Sequence, residues 1–130
     1  MTTADTAVRQ ATAAATAAVR NPALSRSEAA RAGRAALASL PGFTRGDALA
    51  SVVLTAAAPH RMAVYHRRAH ASLHSLGIPL THASGRYGRY IAVLDDLLSQ
   101  APSPAHAWTP RNLDIALYCL SPNSAGMGSA

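Results

Sequence analysis

Apolar residues in this chain recur at helical spacing, and nowhere do they alternate as a half-buried strand would require. The clearest stripe runs through Gly85–Gln100, where Tyr87, Tyr90, Ile91, Leu94, Leu97 and Leu98 fall at i, i+3 and i+4, and Ser84 stands where a cap belongs. A second helix follows from Ser25 and Glu28, a capping box that opens roughly Arg26–Ser39 before Pro41 stops it. Thr44 and Asp47, three residues apart, read as a further capping pair for a helix over Arg45–Ala57. That helix is apolar nearly all round and is expected to be the most buried element. Met62-Ala63-Val64-Tyr65 reads as a short extended connector into a helix over His66–Leu76, closed by Gly77 and Pro79. Thr109 with Pro110 at the first helical position starts a closing helix to Leu120, with Leu113, Ala116, Leu117 and Leu120 on its inner side and Pro122 as its stop. Met1–Arg20 is Ala/Thr-rich with only Val8 and Val19 as anchors, so it is either a frayed helix laid on the body or a disordered lead. The fold class is therefore all-α: a single domain of five or six helices around Arg45–Ala57. Its parts are an N-terminal lead over 1–22, a helical domain over 23–121 and a disordered tail over 122–130.

Composition narrows this picture. A length of 130 residues suits one domain with one core, and an aromatic fraction of 5% means that Ala, Leu, Val and Ile must build it. Net charge is +6, and every basic residue is Arg. Such a balance suits an anionic partner such as nucleic acid, and a coding bias towards Ala, Arg, Gly and Pro accounts for it equally well. Cys119 is the only cysteine, which excludes an internal disulfide, and its Leu/Ile-rich helix predicts a buried thiol. No apolar run reaches bilayer length, and the early Asp5 and the lack of a basic start argue against a secretory signal, so a cytoplasmic protein without membrane contact is expected.

Chemistry concentrates at Leu40-Pro41-Gly42-Phe43-Thr44-Arg45-Gly46-Asp47-Ala48. Two glycines permit a sharp bend, and the bend delivers unpaired amides and Arg45 to the start of a helix, where phosphate binds readily. This stretch resembles the hairpin of the helix-hairpin-helix DNA glycosylases, usually Leu-Pro-Gly-Val-Gly followed by a helix. Ala58-Pro59-His60-Arg61-Met62-Ala63-Val64-Tyr65-His66-Arg67-Arg68-Ala69 resembles that family's next segment, in which an apolar tripeptide leads to the catalytic Asp at a helix start. Order and spacing fit, over about forty residues, closest in flavour to bacterial proteins of the oxoguanine-glycosylase fold. The resemblance implies a DNA-backbone contact without base reading, made by Gly42, Thr44, Arg45 and Gly46. The chain departs from the family at the residues that do chemistry: the second hairpin glycine is Thr44, the Schiff-base lysine position falls on or near Gly46 in a chain with no Lys, and His66 fills the aspartate position. Both the amine and the carboxylate of that chemistry are absent, which points to DNA contact rather than catalysis.

Further candidates flank the bend. Arg67, and Arg86 with Tyr87, can add a phosphate contact and a stacking ring, although Tyr87 is equally readable as core. His66, with a pKa near neutrality, is the candidate base if base excision survives. His66, His70 and His74 share one helix face, but no nearby Cys, Asp or Glu completes a ligand set, so neither metal nor other cofactor is expected. The alternative to DNA binding is a helical interaction module, its Tyr87–Leu98 stripe covered by a protein partner or a second copy.

Overall fold

The structure is a computed structural model, described here over residues 3–102 and 107–120. Among the described residues there are six α-helices: α1 Thr3–Arg20, α2 Arg26–Leu37, α3 Ala48–Ala57, α4 Arg67–Ser75, α5 Arg86–Ser99 and α6 Pro110–Cys119. No strand occurs among the described residues, so the all-α expectation holds. Helix α2 lies between α1 and α5, α3 closes against α1 and α2, and α6 packs on α4 and α5. None of these helices is long and apolar enough to cross a membrane. The expected tail over 122–130, with Pro122, lies outside the described residues.

Two of the local start signals form as the sequence predicts. Ser25 Oγ accepts from Glu28 N–H while Glu28 Oε1 accepts from Ser25 N–H, so the capping box closes at both ends. Thr109 and Asn112 make the same reciprocal pair ahead of Pro110. Ser84, by contrast, does not cap α5; the N-cap residue is Gly85, in a left-handed conformation without a side-chain cap.

Three expectations are corrected by packing. Of the two alternatives for the N-terminal stretch, the structure takes the helix laid on the body, but its anchors are Ala15 and Val19, both buried, whereas Val8, expected as an anchor, is 45% exposed. Helix α3 begins at Ala48 rather than Arg45 and is not buried all round: Ala50, Ser51, Leu54 and Thr55 face inward while Leu49 and Val52 stay exposed. Cys119 and Leu120, expected inside, are exposed, since the last turn of α6 extends beyond the surface that buries Leu117.

Helices α1, α2 and α3 meet at Gly33, where the missing side chain sets the approach. A Cβ there would stand 2.7 Å from Val19 Cγ1 and 2.8 Å from a Leu54 methyl. Val19 is fully buried and has no free rotamer to retreat into. Gly33→Ala is therefore expected to destabilise by about 1–2 kcal/mol, the cost of overpacking exceeding the gain of roughly 1 kcal/mol in helix propensity. Chemical denaturation measures it, and a stabilised variant would show that α1 is free to slide.

Between α3 and α4 the chain crosses the core in extended form with no strand beside it. Main-chain groups of Ala63, Val64 and Tyr65 bond to side chains instead. Tyr87 Oη donates to Ala63 O at 2.7 Å, Tyr90 Oη to Val64 O at 2.9 Å, and Asp114 Oδ2 accepts from Val64 N–H at 2.7 Å. Ser51 Oγ accepts from Tyr65 N–H at 2.8 Å. Burial raises the pKa of both Tyr87 and Tyr90, so both phenols stay protonated and donate.

Arginines tie the loops in the same manner. Arg61 donates to the carbonyls of Val19, Asn21 and Leu24, closing the α1–α2 turn. Arg89 donates to Thr81, Ala83 and Ser84, and Arg20 to Ala57 O. Arg26 pairs with Asp95 and Arg34 is partly buried, so the expected solvated face of α2 keeps only Arg31 exposed. Much of the positive charge is thus structural.

Candidate functional site

The stretch that joins α2 to α3 folds as a tight exposed bend. Phe43 N–H donates to Leu40 O at 3.0 Å, and Gly42 and Gly46 take φ values of +88° and +61°, a region that favours glycine. Leu40 is buried beneath it and Phe43 half-buried, while Pro41, Gly42, Thr44, Arg45 and Gly46 face outward. One side chain holds the bend from inside: Arg34 Nη2 donates to Phe43 O at 2.7 Å and Gly46 O at 2.8 Å, and its Nε to Asp47 Oδ1 at 2.9 Å.

Asp47 is the N-cap residue of α3, but its carboxylate does not cap and Thr44 forms no capping pair with it. The physical reason is competition. Oδ1 is taken by Arg34 and Oδ2 by Arg86 Nε at 2.8 Å, two charge-assisted bonds that outweigh one bond to a main-chain amide. The first-turn amides of α3 therefore keep no side-chain acceptor, and two guanidinium groups over-neutralise the only carboxylate nearby.

Arg86 extends the network. Its guanidinium lies 4.4 Å above the Tyr65 ring, and Nη1 donates to His82 Nδ1 at 2.7 Å. Arginine only donates, so His82 Nδ1 must be the unprotonated nitrogen. The His82 ring stacks on His70 at 5.0 Å between centroids and 13° between planes, and His70 Nδ1 meets Tyr65 Oη at 2.7 Å. Parallel rings cannot aim two lone pairs at one ion, and no metal-binding group of three ligands occurs among the described residues.

Burial, then the neighbouring His82, Arg86 and His74, hold the His70 pKa below its ordinary 6.5. Burial likewise lowers His66. A histidine depressed in the native state takes up its proton more readily when unfolded, so stability is full above pH 6.5 and declines as pH falls through that value towards the native pKa. The melting temperature is expected to fall between pH 7 and pH 5, and less so in His70→Gln; a flat profile would mean that neither ring is held neutral.

Arg31, Arg34, Thr44, Gly46, Asp47, His82, Ser84 and Arg86 line one cleft of about 960 Å³ between α2, the bend and the start of α5. Of the residues singled out by sequence, the structure brings Thr44, Gly46 and Arg86 together here, with Gly42 and Arg45 on the outer side of the bend. Tyr87 forms part of the wall but is only 1% exposed and bonded to Ala63, so its ring is not available to stack on a base. His66 and Arg67 are not in this cleft. His66 caps α4, its Nδ1 accepting from Ala69 N–H at 3.1 Å, and its ring abuts Tyr118 of α6. Arg67 is exposed on the first turn of α4, beside a separate groove with Tyr65 and His70. The Tyr87–Leu98 stripe is largely core, with Tyr87, Tyr90, Ile91 and Leu94 buried, so it supplies no open face for a partner.

Arg31 and Arg34 were not singled out for binding; their spacing of three on one face of α2 was the available signal, and it does not reveal which turn they meet. Compared with protein-family models, with curated proteins and with solved structures, the chain matches none.

Proposed function

We propose that the chain binds the DNA backbone through the exposed bend, without reading bases and without excising one. Arg45 carries the reading. It protrudes from a bend fixed from behind by Arg34, and it has no hydrogen bond or ion pair among the described residues. The first-turn amides of α3 beside it supply the donors that a phosphate accepts from, and the doubly paired Asp47 adds no repulsion. The resemblance of Leu40–Ala48 to the glycosylase hairpin points the same way. Such contacts position a protein on a strand and carry no sequence information. Base excision is left out because the chain lacks Lys, and His66 holds a helix end rather than facing the bend.

The test is fluorescence anisotropy with a short duplex of arbitrary sequence at low salt. Affinity is expected to fall steeply as salt rises, through counterion release, and to be insensitive to sequence. Arg45→Glu is expected to weaken binding on the order of tenfold or more and to flatten the salt slope by about one or more units, with the fold intact because Arg45 supports nothing. Absence of binding at low salt, or equal binding by Arg45→Glu, overturns the proposal.

A further inference from the structure

We infer that the cleft behind the bend, between α2 and the start of α5, is a receptor for a phosphomonoester dianion. Three guanidinium groups from two helices, Arg31, Arg34 and Arg86, line it against the single carboxylate of Asp47. They gather at the positive end of α5, a 14-residue helix in which Arg86 and Arg89 already occupy the first turn, where the helix dipole disfavours cations. Arg31 lies over that same end: its Nε is 3.9 Å from where a Cβ on Gly85 would stand. These like charges oppose one another and the dipole. A doubly negative group removes that opposition; a single carboxylate shared by two arginines does not.

The free donors define the ligand. Arg34 commits Nε and Nη2, and Arg86 commits Nε and Nη1. Among the described residues, Arg34 Nη1 is buried without a partner, and the exposed Arg31 makes no hydrogen bond, with only Glu28, three residues before it on α2, as a charge neighbour. Thr44 and Ser84, both exposed, add hydroxyls, and Gly85 offers no side-chain cap to the first-turn amides of α5. Asp47 apart, what the cleft presents is donors and positive charge, so the ligand is rich in acceptors. A phosphomonoester near pH 7 carries close to two charges, against one for a backbone diester, and matches the surplus better. Walls from α2, the bend and the 82–85 loop suit a group attached at one end only. This inference does not rest on strand binding by Arg45, which lies on the other side of the bend.

Calorimetric titration tests it with orthophosphate and adenosine monophosphate, and anisotropy with one single-stranded oligonucleotide bearing either a 5′-phosphate or a 5′-hydroxyl. Both phosphates are expected to bind, and Arg31→Ala to weaken them at least tenfold at unchanged melting temperature, since Ala keeps the Cβ that packs on Gly88. Tighter binding of the phosphorylated oligonucleotide assigns the site to strand ends; equal oligonucleotides with bound adenosine monophosphate assign it to a free phosphomonoester. No titration by either phosphate, or titration unaffected by Arg31→Ala, overturns the inference. Arg45→Glu separates the two proposals, because it removes strand binding at the bend and leaves phosphate binding in the cleft.

Discussion

Asp47→Ala is expected to lower stability by about 3–5 kcal/mol, and the melting temperature by roughly 10 °C or more for a domain of this size. The side chains of Asp47, Arg34 and Arg86 are only 13%, 18% and 15% exposed, so removing the carboxylate strands two largely desolvated guanidinium groups side by side. The contrast is Arg26 with Asp95, where both side chains are more than a third exposed. Water screens that pair, and Asp95→Ala is expected to cost no more than about 1 kcal/mol. Denaturation of the two variants side by side checks the argument: similar small losses would mean that water reaches the Asp47 carboxylate. Asp47→Asn keeps the shape and drops the charge, which separates stability from binding. Its fold is expected to weaken while its affinity for phosphate rises, because the one negative charge in the cleft is gone.

How far the sequence could be read depended on how local each signal was. Ser25 with Glu28, and Thr109 with Asn112, reach three residues, and both boxes form as read. Thr44 and Asp47 have the same spacing and fail, because two arginines, one of them 39 residues away, claim the carboxylate first. Nothing local announces that competitor. The arginines misled for the same reason: Arg61 donates to carbonyls about forty residues upstream, so a basic composition that looked like a nucleic-acid signature is partly the means of closing loops. Helix α3 reads as apolar all round, yet a ten-residue helix seated through Ala50, Ser51 and Leu54 presents Leu49 and Val52 to solvent. The bend itself was legible from its glycines. The cleft behind it was not, since it exists only once α5 is laid against α2.

The second large effect is expected at Asp114, an acid that the helical pattern of α6 gave no reason to single out. Asp114 is 0% exposed; its Oδ2 accepts from Val64 N–H at 2.7 Å and its Oδ1 from Arg111 Nη1 at 2.6 Å. It is the link from α6 to the extended segment that delivers Tyr65 under Arg86 and His66 to the start of α4. Asp114→Ala leaves a buried amide without an acceptor, a loss of about 1–3 kcal/mol, and adds a cavity where the carboxylate stood. Together these are expected to cost roughly 3 kcal/mol. Arg111 is partly exposed and can turn to water, so it adds little to the loss. Tyr90→Phe calibrates the effect: it removes the donor to Val64 O from the same segment but leaves the ring in place, and about 1 kcal/mol is expected. If Asp114→Ala costs no more than Tyr90→Phe, the segment is held by its buried side chains, Met62, Ala63 and Tyr65, rather than by its hydrogen bonds. If it costs the larger amount, a strand-like passage through a helical core owes its place to one carboxylate. Exchange of the Val64 amide with deuterated water then distinguishes local release from global unfolding, being faster in Asp114→Ala than the change in global stability alone requires.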